Sequence, residues 1–152
     1  MNTTARAFRG SAGRDTEGTR PAGVLVVDDS LVFRTGMTRA VQACAGLELL
    51  GEADGGEAAL RAVAELHPDI VILDLRMPDL DGIDVLRALN AQDPPPDCRV
   101  LIISATLDDE VERELLAAGA DACMSKASSR ASICDAGLRL AMDESPVRPS
   151  PQ

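Results

Sequence analysis

The chain has 152 residues, 45% of them hydrophobic, which suits one packed domain rather than two. Its formal net charge is −10; residues 1–22 carry Arg6, Arg9, Arg14 and Arg20 against Asp15 and Glu17, a net +2, which leaves −12 for the remainder. An acidic body without a basic face is repelled by nucleic acid and anionic membrane, no apolar run approaches a bilayer span, and residues 1–22 lack the apolar core of a signal peptide.

The four cysteines are Cys44, Cys98, Cys123 and Cys134. They form no CxxC pair and fit no zinc spacing, so they read as reduced, small buried hydrophobes of a cytoplasmic protein. Phe8 and Phe33 are the only aromatic residues, and Lys126 is the only lysine beside 14 arginines.

In chain order, residues 1–22 are small, polar and basic without periodicity, which reads as a disordered basic tail. Val24-Leu25-Val26-Val27 is an apolar run of strand length ending in Asp28-Asp29. Ser30 can cap a helix over roughly 31–45, with Leu31, Met37, Val41 and Ala45 available for a core face. Residues 47–53 partly alternate, as an edge strand does. A helix follows over 57–66 with Ala59, Leu60, Val63 and Leu66 on one side. His67-Pro68 ends it and leaves His67 as a surface residue at the helix end.

Ile70-Val71-Ile72-Leu73 is apolar without alternation and three-quarters β-branched, the pattern of a strand buried on both faces. It runs into Asp74. Met77-Pro78 breaks the strand, and Asp81-Gly82 restarts the chain as a short helix over 83–90. Pro94-Pro95-Pro96 is a stiff connection to a fourth strand, Val100-Leu101-Ile102-Ile103, which ends at Ser104. A helix over 108–118 has acids in its first turn and stops at Gly119. Residues 122–125 make a short fifth strand, followed by Lys126 and a last helix over 129–141. Pro146, Pro149 and Pro151 mark a disordered Pro-rich tail over 142–152.

Strands alternating with helices predict an α/β fold with right-handed crossovers. With 47–53 and 122–125 as edges, the order is the flavodoxin-like 2-1-3-4-5, a doubly wound five-stranded parallel sheet with five helices over residues 23–141. In that order the C-terminal strand ends bring Asp28, Asp29, Asp74, Ser104 and Lys126 to one rim. Carboxylates that close repel by about 4 kcal/mol per pair at 4 Å and an effective dielectric near 20. A hard divalent cation such as Mg²⁺ relieves this, and with an ammonium beside a free carboxylate the set becomes a phosphoryl-accepting site. Asp79 and Asp81 read as helix caps or solvated turn acids.

These residues resemble the response-regulator receiver domain of two-component signalling over about 23–141. The matching elements are Val26-Val27-Asp28-Asp29-Ser30, the stretch from Asp74 to Gly82, Ser104-Ala105 and Lys126. The resemblance implies that Asp74 is the phosphoacceptor for a histidine kinase. It also implies that Asp29, Asp74 and the Arg76 backbone carbonyl bind Mg²⁺ directly, with Asp28 acting mainly through water, and that Ser104 and Lys126 read the phosphoryl group. Residues 124–129 look like receivers that precede helix-turn-helix output domains, although Ala127 stands where many receivers have proline. Only 26 residues follow Lys126, so the expectation is a stand-alone receiver or a fragment. Cys123 occupies the position where many receivers carry a switching Tyr or Phe.

The expected role is therefore signalling rather than enzymatic, with no direct DNA or membrane binding. The expected partners are a sensor histidine kinase and a homodimer or downstream protein. The acidic helix over 108–118 is the candidate reader surface, while Ile133, Gly137 and Leu140 form either a dimer surface or part of the core. The enzymatic rival, an aspartyl-nucleophile phosphatase of the haloacid dehalogenase type, needs a second Asp two residues after the first. Here those positions hold Ser30 and Arg76.

Overall fold

The computed structural model describes residues 20–143. The strands are β1 (Ala22–Val27), β2 (Leu47–Ala53), β3 (Ile70–Asp74), β4 (Arg99–Ser104) and β5 (Ala122–Ser125). Between and after them come helices α1 (Leu31–Ala43), α2 (Gly56–Leu66), α3 (Gly82–Asn90), α4 (Asp109–Ala117) and α5 (Arg130–Met142). Among the described residues, regular structure begins one residue before and ends one residue after the expected 23–141. Apart from 20–22 and 142–143, the expected tails lie outside the described residues.

All pairings are parallel, in the order β2-β1-β3-β4-β5. The fold is the doubly wound, flavodoxin-like one expected. Period-two alternation splits the strand side chains between two cores. Leu25, Val27, Val71, Leu73, Val100 and Ile102 pack under α2, α3 and α4 through Ala59, Val63, Val85, Leu86, Leu89 and Leu115. Val24, Val26, Ile70, Ile72, Leu101 and Ile103 pack under α1 and α5 through Met37, Val41, Ile133 and Cys134. Burial on both faces explains why these strands carry no polar alternation; each such side chain contributes about 1.5–3 kcal/mol.

Leu31, Ala45 and His67 depart from the expectation. Leu31 is 64% exposed and Val32 80% exposed, so neither contributes to the core. Ala45 lies past the end of α1 and is exposed, so Met37 and Val41 carry that core face. Of the two readings of Ile133, Gly137 and Leu140, the packing fits the core: Ile133 and Gly137 are buried, and Leu140 packs partly buried against the same cluster. His67 is half-buried, not a surface residue: it closes α2 in the left-handed conformation, at φ 51°.

Two carboxylates tie the starts of strands. Asp69 accepts from the Gly23 N–H at 2.7 Å, and Asp121 accepts from the Val100 N–H at 2.7 Å. They pair strand-start donors, so both are structural. A register shift between Val24 and Leu25 leaves Leu50 as the extra residue of β2, and a Cβ on Gly23 would lie 2.5 Å from its side chain. No described helix is long and apolar enough to cross a membrane.

Candidate phosphoacceptor and metal site

Parallel register carries the polar residues to a common rim. Asp74 is the last residue of β3 and is paired with Ile103, one residue before Ser104. Asp28 follows β1, and its backbone N–H donates to the Ala53 carbonyl, which anchors the strand end. The Ser104 carbonyl accepts from the Lys126 N–H at 2.8 Å, which holds the turn after β5 against β4. Behind Asp74, Gly82 lets α3 start close to the strand. A Cβ there would sit 3.1 Å from both the Asp74 carbonyl oxygen and Leu75 Cα.

Asp28, Asp29 and Asp74 each offer a carboxylate oxygen within 4.8 Å of the others. Asp28 is 1% and Asp74 4% exposed, while Asp29 faces solvent. Lys126 Nζ lies 2.8 Å from Asp28 Oδ2 and 3.6 Å from Asp74 Oδ2. Burial, then the Asp28 charge, push the Asp74 carboxyl up from 3.8 to about 6; Asp29 adds to this, while Lys126 and the Arg76 N–H oppose it. Burial pulls the Lys126 ammonium down, but its bond to Asp28 and the Asp74 charge outweigh this, so its pKa is raised.

Of the remaining expected residues, Ser104 is fully buried at the rim. Its hydroxyl donates to the Thr106 carbonyl at 2.9 Å and accepts from the Thr106 N–H at 3.2 Å. Arg76 has an exposed side chain. Cys123 is half-buried on β5 against the α2–α4 core, and burial, with Glu112, pushes its thiol up to about 11. Asp81 caps α3 by accepting from the Asp84 N–H. Asp79 accepts from the backbone N–H groups of Gly56 and Glu57 at 3.0 and 3.1 Å and so caps α2 across the rim.

Two residues of α1 serve this site and were not expected. Arg34 donates to the Asp28 carbonyl at 2.7 Å and pairs with Glu52 at 2.7 Å. The ring centroid of Phe33 lies 4.6 Å from Lys126 Nζ and 5.3 Å from Arg130 Cζ. The Phe33 contacts with Lys126 and Arg130 and the Arg34–Glu52 pair join parts of the chain far apart in sequence, and only the rarity of aromatic residues singles out Phe33.

Residues 24–137 match the response regulator receiver domain family. The chain belongs to that family. It is 38% identical over 117 residues to the response regulator GacA of Pseudomonas viridiflava, covering 77% of this chain and 53% of that protein. It is 38% identical over 127 residues to the transcriptional regulatory protein NarL of Mycobacterium tuberculosis, covering 84% and 58%. The chain thus spans about half the length of the curated relatives it matches. The signal receiver domain of that NarL superposes with a TM-score of 0.76 at 36% identity, covering 80% of this chain and 97% of that one. A chain of the CheX–CheY–BeF₃–Mg complex from Borrelia burgdorferi gives a TM-score of 0.71 at 28% identity, covering 86% of this chain and 94% of that one. The receiver is thus of the two-component type and related to transcriptional regulators.

Proposed function

We propose that this receiver takes a phosphoryl group from a phosphohistidine of a sensor histidine kinase onto Asp74 and thereby changes its protein contacts. The observation that carries the reading is the placement of Lys126 Nζ against both Asp28 and Asp74 in a cluster of three carboxylates. An Asp74 oxygen attacks phosphorus, the bond from phosphorus to the imidazole nitrogen breaks, and an acyl phosphate results. Lys126 balances charge on the transferred group.

The donor set fits Mg²⁺. All three side chains offer hard oxygens, Asp29 lies at the solvent side where waters can complete the shell, and the Asp74 carboxyl, whose pKa is raised first by burial and then by the Asp28 charge, would be held ionised by a cation. Asp29, Asp74 and the Arg76 carbonyl would hold the ion, with Asp28 acting mainly through water. When bound, Mg²⁺ supplies charge neutralisation for the phosphoryl oxygens.

Ser104 has one hydroxyl proton, given at present to the Thr106 carbonyl. Donation to a phosphoryl oxygen requires giving up that bond, which shifts the backbone leading into α4. Exposed Asp109, Glu110 and Glu114 make that helix a reader surface for a basic or polar protein partner, not for DNA. A second reading, the receiver part of a longer transcriptional regulator, is favoured by the 53% and 58% spans of the GacA and NarL relatives.

The test incubates the chain with acetyl phosphate and Mg²⁺ and with the purified kinases of its organism. Labelling of the parent but not of Asp74→Asn supports the reading. Equal labelling of both overturns it. Sequence-specific DNA binding by this 152-residue chain alone would remove the protein-contact output.

A further inference from the structure

Lysine is a point charge on a flexible stem, and holding it in one place costs rotamer freedom. At this rim the stem has a seat: Lys126 Nζ rests 4.6 Å from the ring centroid of Phe33 while it reaches Asp28 at 2.8 Å. Phe33 is the only aromatic residue among the described ones. It is half-buried against the α1–α5 core, so the ring itself is held by packing. The same ring lies 5.3 Å from the Arg130 guanidinium, at the first position of α5.

Gly36, three residues along α1, completes the arrangement. A Cβ at that position would lie 2.5 Å from Arg130 Nε and 2.7 Å from Cζ. The glycine therefore makes the notch in which the guanidinium lies against α1. One ring thus links the ammonium at the rim to the packing of α1 against the start of α5.

We propose that Phe33 is a positioning residue for Lys126: its ring holds the ammonium over the Asp28–Asp74 pair and so sets the rate of phosphoryl acceptance. The proposal rests on the phosphoacceptor reading, and its test has one arm independent of it. Because the chain has a single lysine, labelling lysine with ¹³C at Cε gives one resonance from the full chain. Without any phosphodonor, ring current should displace the attached protons of Lys126 upfield in the parent and in Phe33→Tyr, but not in Phe33→Leu. With acetyl phosphate and Mg²⁺, Phe33→Leu should accept phosphate about fivefold more slowly, and Phe33→Tyr should restore the parent rate.

An unshifted lysine resonance in the parent overturns the proposal, and so does a Phe33→Leu rate equal to the parent's. Phe33→Met, of similar volume, replaces Phe33→Leu should the latter lose amide dispersion. A parent that takes no phosphate overturns the phosphoacceptor reading and the rate claim with it, while the resonance still decides whether the ring holds the lysine.

Discussion

The Ser104 hydroxyl is closed on Thr106, donating to its carbonyl at 2.9 Å and accepting from its N–H at 3.2 Å. The residue that should read the phosphoryl group is thus engaged with the backbone two residues on. Ser104→Ala should fold and still accept phosphate, because Asp74 and Lys126 are untouched. It should lose the amide shifts over 104–107 that follow phosphorylation in the parent. Heteronuclear NMR with and without acetyl phosphate checks this; parent-like shifts in the variant would show that the hydroxyl is not the reader.

Asp74 should destabilise the metal-free fold. Its folded pKa, about 6, lies above the ordinary 3.8, so the penalty is absent below 3.8 and grows as pH rises through about 6. At 1.36 kcal/mol per pKa unit the shift corresponds to a penalty of order 2–3 kcal/mol at neutral pH. Asp74→Asn should therefore be more stable than the parent at pH 7 without Mg²⁺, and the two should converge towards pH 4. Urea unfolding at the two pH values measures it, and added Mg²⁺ should narrow the gap at pH 7.

Asp79 should act in the opposite sense. Its pKa is lowered to about 2, first by the Gly56 N–H and then by the Glu57 N–H, so its contribution is full above 3.8 and lost as pH falls through about 2. Asp79→Ala should lower the melting temperature at pH 7, and the difference from the parent should shrink as pH drops below 4. A difference independent of pH would mean that the cap works through packing alone.

Gly56 faces fixed backbone, not a flexible side chain. A Cβ there would lie 2.7 Å from the Leu80 carbonyl oxygen and 2.5 Å from Leu80 Cβ. Gly56→Ala should cost about 1–3 kcal/mol despite the better helix propensity of alanine, because the loop from Asp74 to α3 must move. Gly137→Ala is a useful contrast: its nearest neighbour would be Ile70 Cγ2 at 3.7 Å, an ordinary contact. Chemical denaturation of the two variants should separate them clearly.

Much of this was readable from local patterns. Strand runs such as Ile70–Leu73 announce burial on both faces, and the end of each run marks where Asp28, Asp74 and Ser104 must emerge. Parallel order then brings them together. What the pattern does not hold is which distant side chain fills a given space. Phe33 and Arg34 sit on a helix whose periodicity suggests only a core face, yet one seats Lys126 and the other grips the Asp28 carbonyl. Leu31 fits the same periodicity and is exposed, since periodicity does not say which turns of a helix meet the sheet. Asp69 and Asp121 look like surface acids until the strand ends they tie are seen. Ile133 and Gly137 fit either an interface or a core on spacing alone, and only packing decides.

Under the proposed function, a Mg²⁺-dependent phosphoryl group lands on Asp74 alone. Treating the chain with acetyl phosphate, reducing the acyl phosphate with borohydride and sequencing the peptides by mass spectrometry tests it directly, since reduction leaves homoserine at the modified position. Homoserine is expected at position 74 only, formed with Mg²⁺ and lost when the ion is chelated. Homoserine at position 28, 29 or 79, or equal modification of Asp74 with and without Mg²⁺, would contradict it.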